Sequence, residues 1–164
     1  MKYMFASDVH GSAYYCRKML DVYKEEKAER LVLLGDLLYH GPRNDLPREY
    51  APKQVISMLN DMKKEIYAVR GNCEAEVDQM CIRDSDQMVL QFPVMADYCI
   101  LNLDGRTFYA THGHIYNENN LPPIQEGDIL IHGHTHVLKA EQKEGYVLLN
   151  PGSVSIPKEG NPPT

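Results

Sequence analysis
Five short segments of this chain carry residue types that bind metal ions: Asp8-Val9-His10, Gly35-Asp36, Gly71-Asn72-Cys73-Glu74, Thr111-His112-Gly113-His114 and Gly133-His134-Thr135-His136. A lone Asp before a turn is usually a turn or cap residue, and a lone His is more often a surface or hydrogen-bonded core residue. The set weighs differently. Asp8 with His10, and His134 with His136, stand two residues apart, which in an extended segment points both side chains to the same side. Asp and Asn oxygens mixed with imidazole nitrogens suit Mn²⁺, Fe, Ni²⁺ or Zn²⁺, whereas Ca²⁺ takes oxygen alone and a structural Zn²⁺ site favours Cys. Mn²⁺ is the first choice. Asp36, with Gly35 making room, is the best candidate to bridge two ions about 3.5 to 4 Å apart, as in two-metal hydrolases.

Such a site needs strands whose ends converge, and each of the five segments follows an apolar run. Met4 to Ala6 reads as a strand and Gly11 as a turn. Cys16, Met19, Leu20 and Tyr23 then fall at the spacing of one helix face. Leu31 to Leu34 reads as a strand covered on both faces, and Pro52 opens a helix with Val55, Ile56, Leu59 and Met62 inward. Ile66 to Val69 is a third strand. This alternation predicts βαβ units and a parallel sheet with ligand chemistry at the carboxyl ends of its strands. In the second half, Tyr98 to Leu103, Thr107 to Thr111, Ile129 to Ile131 and Tyr146 to Leu149 read as strands, with Asp104-Gly105 as a hairpin turn. The expected fold is a mixed α/β, or α+β, architecture: two face-to-face β-sheets flanked by helices, the second sheet largely antiparallel.

At 164 residues the chain is one domain, 1–164, with one core. A net charge of −6 provides no basic field, so bulk nucleic-acid binding is not expected. No stretch approaches a membrane span and the first apolar run is too brief for a signal peptide, so a cytoplasmic protein is expected. The four cysteines form no Cys-x-x-Cys pair, and reduced thiols are expected of Cys16, Cys73, Cys81 and Cys99. Asp78-Gln79-Met80 recurs as Asp86-Gln87-Met88, which marks Cys81 to Met88 as an inserted segment.

The order and residue types of the five blocks resemble the calcineurin-like metallophosphoesterases. The resemblance runs from residue 4 to about residue 158 and includes His40-Gly41-Pro42-Arg43-Asn44 and the Asn150-Pro151-Gly152-Ser153 segment. It implies a metallophosphoesterase-like β-sandwich and a binuclear metal-dependent phosphodiesterase that attacks a small phosphate diester with a metal-bridging hydroxide. Carried over, one ion takes Asp8, His10, Asp36 and His136, and the other takes Asp36, Asn72, His112 and His134. His114, Cys73, Arg43 and His40 are the remaining catalytic candidates: Arg43 as a phosphate contact or a solvated turn residue, His40 and His114 as substrate contacts or supports of the ligands. Small members of the family continue past Asn150-Pro151-Gly152-Ser153 into further strands, so this chain is expected to lack the final strands. Where many relatives carry a leaving-group His after the Gly-Asn pair, this chain has Cys73, a poor acid at a usual pKa of about 8.5. That points to diesters or activated leaving groups. The alternatives are a phosphomonoesterase, or a non-catalytic scaffold resembling the retromer subunit of this fold. An open sheet edge or apolar outer surface would also suit a homo-oligomer.

Overall fold
The first half of the chain alternates strand and helix: β1 (Tyr3–Ala6), α1 (Ala13–Glu25), β2 (Arg30–Leu33), α2 (Pro52–Asp61) and β3 (Ile66–Ala68). The computed structural model describes residues 1–75, 78 and 89–164, and the Cys81 to Met88 segment lies outside them. β1, β2 and β3 form a parallel sheet in that order. Ser12 caps α1, its hydroxyl accepting from the Tyr15 N–H at 3.2 Å. That bond satisfies a donor that the first helical turn leaves unpaired. The helix then buries Cys16, Met19, Leu20 and Tyr23, the face its spacing predicts. Pro52 starts α2, where its missing N–H costs nothing, and Val55, Ile56 and Leu59 turn inward. Leu59 is fully buried, so Leu59→Ala is expected to cost about 2 to 5 kcal/mol.

Alternation along β2 splits the interior into two layers. Leu31 and Leu33 join Cys16, Leu20, Val55 and Leu59 under the helices. Val32 and Leu34 turn the other way and meet Ala110 and Ile131 of the second sheet, where Phe5 and Phe108 stack with ring centres 5.9 Å apart. That second sheet holds β4 (Tyr98–Leu103), β5 (Arg106–Thr111), β6 (Asp128–His132), β7 (Leu138–Gln142) and β8 (Tyr146–Pro151), in the order β4-β5-β6-β8-β7. Asp104 and Gly105 have φ of +49° and +78°, as a two-residue hairpin turn requires at both central positions.

The expectation of a largely antiparallel second sheet is corrected. Only the outer pairs, β4 with β5 and β7 with β8, are antiparallel, while β5, β6 and β8 run parallel. The segment between β5 and β6 returns the chain to its starting end rather than reversing it, and its Ile124 covers Tyr109, Leu130, Tyr146 and Leu148 on the sheet's outer face. Both sheets therefore present the carboxyl ends of parallel strands. Among the described residues no helix is long and apolar enough to cross a membrane.

Candidate metal centre
Six parallel strands deliver side chains to one rim. Asp8 and His10 follow β1, Asp36 follows β2, and Asn72 and Cys73 follow β3. From the second sheet, His112 follows β5, His134 and His136 follow β6, and Ser153 follows β8. The sheets are joined across this rim, because the His134 N–H donates to Asp8 Oδ2 at 3.0 Å and the Val154 N–H to the Ser7 carbonyl at 2.9 Å.

Three of the histidines are oriented by backbone carbonyls. Nδ1 of His10 lies 2.7 Å from the Tyr39 oxygen, Nδ1 of His112 2.7 Å from that of Leu34, and Nδ1 of His136 2.7 Å from that of Ile156. A carbonyl only accepts, so each Nδ1 carries a hydrogen and each ring aims Nε2 inward, where a lone pair faces the centre whenever that nitrogen is deprotonated. Nε2 of His10 and of His136 then face each other at 3.2 Å. Asp8 Oδ1 stands 3.4 Å from the first and 3.2 Å from the second, and this oxygen is buried with no hydrogen-bond partner. Three electron-pair donors thus converge on one point. A second convergence surrounds His112 Nε2: Asn72 Oδ1 at 3.0 Å, His134 Nδ1 at 3.2 Å and Asp36 Oδ2 at 3.5 Å. Asp36 Oδ2 also lies 4.0 Å from His10 Nε2, so it stands between the two groups.

Such a donor set suits cations and little else, since buried polar atoms normally find hydrogen-bond partners. Burial alone would raise the Asp8 carboxyl, but the imidazoles of His10 and His136 beside it and the charge of His112 hold it well below the usual carboxylate range. Burial likewise pulls His112 down, while Asp36 and the charge of Asp8 push it up to about 9. In both cases charge complementarity outweighs desolvation, which marks a focused anionic pocket.

The backbone is strained here. Asp8, His10, Asp36, His134 and His136 all have positive φ, between 49° and 65°, a region that costs an L-residue about 1 kcal/mol or more. Asp and His visit it more readily than branched residues, and strain gathered at one rim is characteristic of functional sites. Several contacts hold it in place. The Glu74 carboxylate accepts from the backbone N–H groups of Asp36 (2.8 Å), Leu37 (2.6 Å) and Gly71 (2.5 Å). The Cys73 N–H fixes Asp36 Oδ1 at 2.9 Å. The hydroxyls of Ser153 and Ser155 donate to the Asp8 carbonyl at 2.9 and 3.1 Å. Gly133 has no room for a Cβ, which would run into the Ser7 side chain and sit 2.6 Å from Asp8 Oδ2.

The centre forms the floor of a cleft of about 730 Å³, lined also by Tyr39, Arg43, Asn44, Cys73 and Lys158. Arg43 and Cys73 therefore face the space where a ligand would sit. His40 does not line it; its ring stands edge-on between those of Tyr39 and Tyr50, at 4.9 and 5.2 Å. His114 lies behind the cleft, 5.3 Å from His112 and 6.4 Å from His134 between ring centres. Cys16, Cys73 and Cys99 are unpaired, and Cys81 lies outside the described residues. Sequence reasoning missed the roles of Glu74, Ser153, Ser155 and Lys158. The Glu four residues beyond Arg70 was visible, but its three backbone partners come from two separate loops.

Comparison with known proteins agrees with this arrangement. The family model described as the calcineurin-like phosphoesterase superfamily domain matches residues 1–164. Phosphodiesterase YfcE of Escherichia coli K12 is 46% identical over 162 residues, spanning 99% of this chain and 84% of YfcE. The solved structure of YfcE, described as a phosphoesterase from E. coli, superposes with a TM-score of 0.91 over 99% of this chain and 85% of that one. Phosphodiesterase MJ0936 of Methanocaldococcus jannaschii is 24% identical over 154 residues, 93% of this chain and 83% of that protein.

Proposed function
The chain belongs to the calcineurin-like phosphoesterase superfamily, and on that premise we propose that it is a binuclear metal-dependent phosphodiesterase. One observation carries this reading: the lone pairs of His10 Nε2 and His136 Nε2 and the unpartnered oxygen of Asp8 converge within 3.4 Å of one another. Asp8, His10 and His136 would hold one ion, and Asn72, His112 and His134 the other, with Asp36 shared between them. When bound, two divalent cations supply Lewis acidity, lowering the pKa of water and neutralising charge on phosphate oxygens. Mn²⁺ fits the mixed nitrogen and oxygen donors best, with Ni²⁺, Fe and Zn²⁺ as alternatives.

The remaining work falls to side chains of the cleft. Arg43 and Lys158 are exposed cations on its rim, placed to draw a phosphate toward the floor, and Arg43 can fork onto two phosphate oxygens. Cys73 occupies a position from which a leaving group would be protonated. Burial and the neighbouring Asp36 charge push its thiol well above the ordinary range, so it is a weak acid for that task. His114, lowered by burial and by the charge of His112, stays a neutral ring beside the ligands. Esters whose alcohols leave without a strong proton donor are favoured, which disfavours ordinary phosphomonoesters. A metal-free scaffold would leave several buried lone pairs unpaired, a cost with no compensation.

Hydrolysis of bis-p-nitrophenyl phosphate by the purified chain with Mn²⁺ tests this reading, against chelator and a His134→Ala control. Turnover that needs metal and His134, and exceeds turnover of p-nitrophenyl phosphate, is the expected result. A folded, metal-loaded chain that hydrolyses neither ester, or only the monoester, would refute it.

A further inference from the structure
We propose that a chamber beside the metal cleft binds one ester group of the diester and selects a planar aromatic one, with Tyr39 as the specificity-determining residue. The inference rests on the phosphodiesterase reading above. Tyr39 and Cys73 line both the cleft and a second cavity of about 400 Å³, so the two spaces share a wall. Leu38, Tyr50, Pro52, Ile56 and Ala75 line the rest of the chamber, with Lys53 and Asp78 also on its border. Its surface is therefore mostly apolar and aromatic, unlike the carboxylates and imidazoles of the floor next to it. A cavity of roughly 150 Å³ suffices for one benzene ring, so the chamber has room for an aryl group or a comparable flat ring system.

The aromatic wall is fixed in place. Tyr39, His40 and Tyr50 form a run of edge-on rings with interplanar angles of 67° and 76°, and the Tyr50 ring is packed so closely on Gly11 that a Cβ there would meet it at 2.5 Å. Tyr39 itself is 47% exposed, leaving ring surface for a ligand to cover. The same residue accepts the His10 Nδ1 hydrogen bond through its backbone carbonyl, so the chamber wall and the metal-facing imidazole are held in one register. A diester brings two ester groups to the centre, one that leaves and one that stays. The chamber gives the second a place that a monoester cannot use.

The test compares two substrates with the same leaving group, p-nitrophenyl phenyl phosphate and p-nitrophenyl methyl phosphate, hydrolysed by the Mn²⁺-loaded chain. Burying and stacking a ring contributes enough for a kcat/KM preference of about tenfold for the phenyl ester. Tyr39→Ala should lower that preference by at least about threefold, and Tyr39→Phe, which keeps the ring, should retain it. A wild-type preference below about fivefold, or one that Tyr39→Ala lowers by less than about threefold, overturns the chamber while leaving the diesterase intact. Absence of turnover of either ester overturns the diesterase reading itself and the chamber with it. Inhibition of wild-type methyl-ester hydrolysis supplies a second reading without any variant: phenylphosphonate should bind more tightly than methylphosphonate, and equal inhibition contradicts the chamber.

Discussion

Replacing Glu74 by Gln probes how the strained rim is held. The carboxylate is buried, and its two oxygens accept three backbone N–H groups: those of Asp36 and Gly71 on Oε2 and that of Leu37 on Oε1. Glutamine has one acceptor oxygen. In its best placement that oxygen keeps the Asp36 and Gly71 bonds, and the amide NH₂ then points at the Leu37 N–H. One charge-assisted bond worth about 1.5 to 3 kcal/mol is lost, and two buried donors are left facing each other at a further cost of about 1 to 3 kcal/mol. Relief of a buried charge offsets part of this, giving a net loss of about 2 to 4 kcal/mol. With an m-value of roughly 2 kcal/mol per molar, the urea midpoint of the chelator-treated protein should fall by about 1 to 2 M. Glu74→Gln should also weaken metal binding, because Asp36 sits at φ +53° on the backbone that Glu74 clamps. A midpoint within about 0.3 M of wild type, with unchanged metal affinity, would refute the clamp.

Three further outcomes are expected. Cys73→His should raise turnover of esters with poorly activated alcohols while leaving two ions bound, measured by metal content and by a series of aryl leaving groups; an unchanged dependence on leaving group removes Cys73 from the site of proton delivery. In the metal-free chain His112 is pushed up to about 9, so it carries a proton at neutral pH that a metal must displace. Calorimetric titrations at pH 7 in buffers of different ionisation heat should therefore reveal proton release, with affinity rising as pH approaches 9, and buffer-independent heats would contradict this. At Glu118, burial is outweighed by its own backbone N–H, by the Lys139 hydrogen bond and by the His132 charge, which bring its carboxyl down to about 2 from 4.5. Its contribution to stability is present above pH 4.5 and is lost as pH falls toward 2, so the stability gap between wild type and Glu118→Gln should narrow from pH 6 to pH 3 in denaturation curves.

The parts of the molecule that the sequence revealed are those where one segment carries its own signal. The α1 face, the Pro52 start of α2, the apolar run of β2 and the Asp104-Gly105 turn each depend on neighbours in the chain, and each stands where the pattern put it. The five metal-type segments were visible because chemistry-bearing residues followed strands. What stayed hidden depends on distant partners. Strand β7, Leu-Lys-Ala-Glu-Gln, has neither an apolar run nor β-branched residues, and its pairing with β8 makes it a strand. The parallel centre of the second sheet follows from a long return loop whose composition does not encode direction. The left-handed backbone at Asp8, His10, Asp36, His134 and His136 was equally invisible, since those residue types adopt that conformation only when surrounding contacts impose it. His40 shows the same limit: the sequence left it as a substrate contact or a support of the ligands, and its ring stands against those of Tyr39 and Tyr50.

Diffraction from crystals of this chain soaked in Mn²⁺, with data collected for anomalous scattering, tests the two-ion centre without reliance on any substrate. Two peaks about 3.5 to 4 Å apart are expected, one against Asp8, His10 and His136, the other against Asn72, His112 and His134, with Asp36 touching both. A single peak, or peaks away from Asp36, would contradict it.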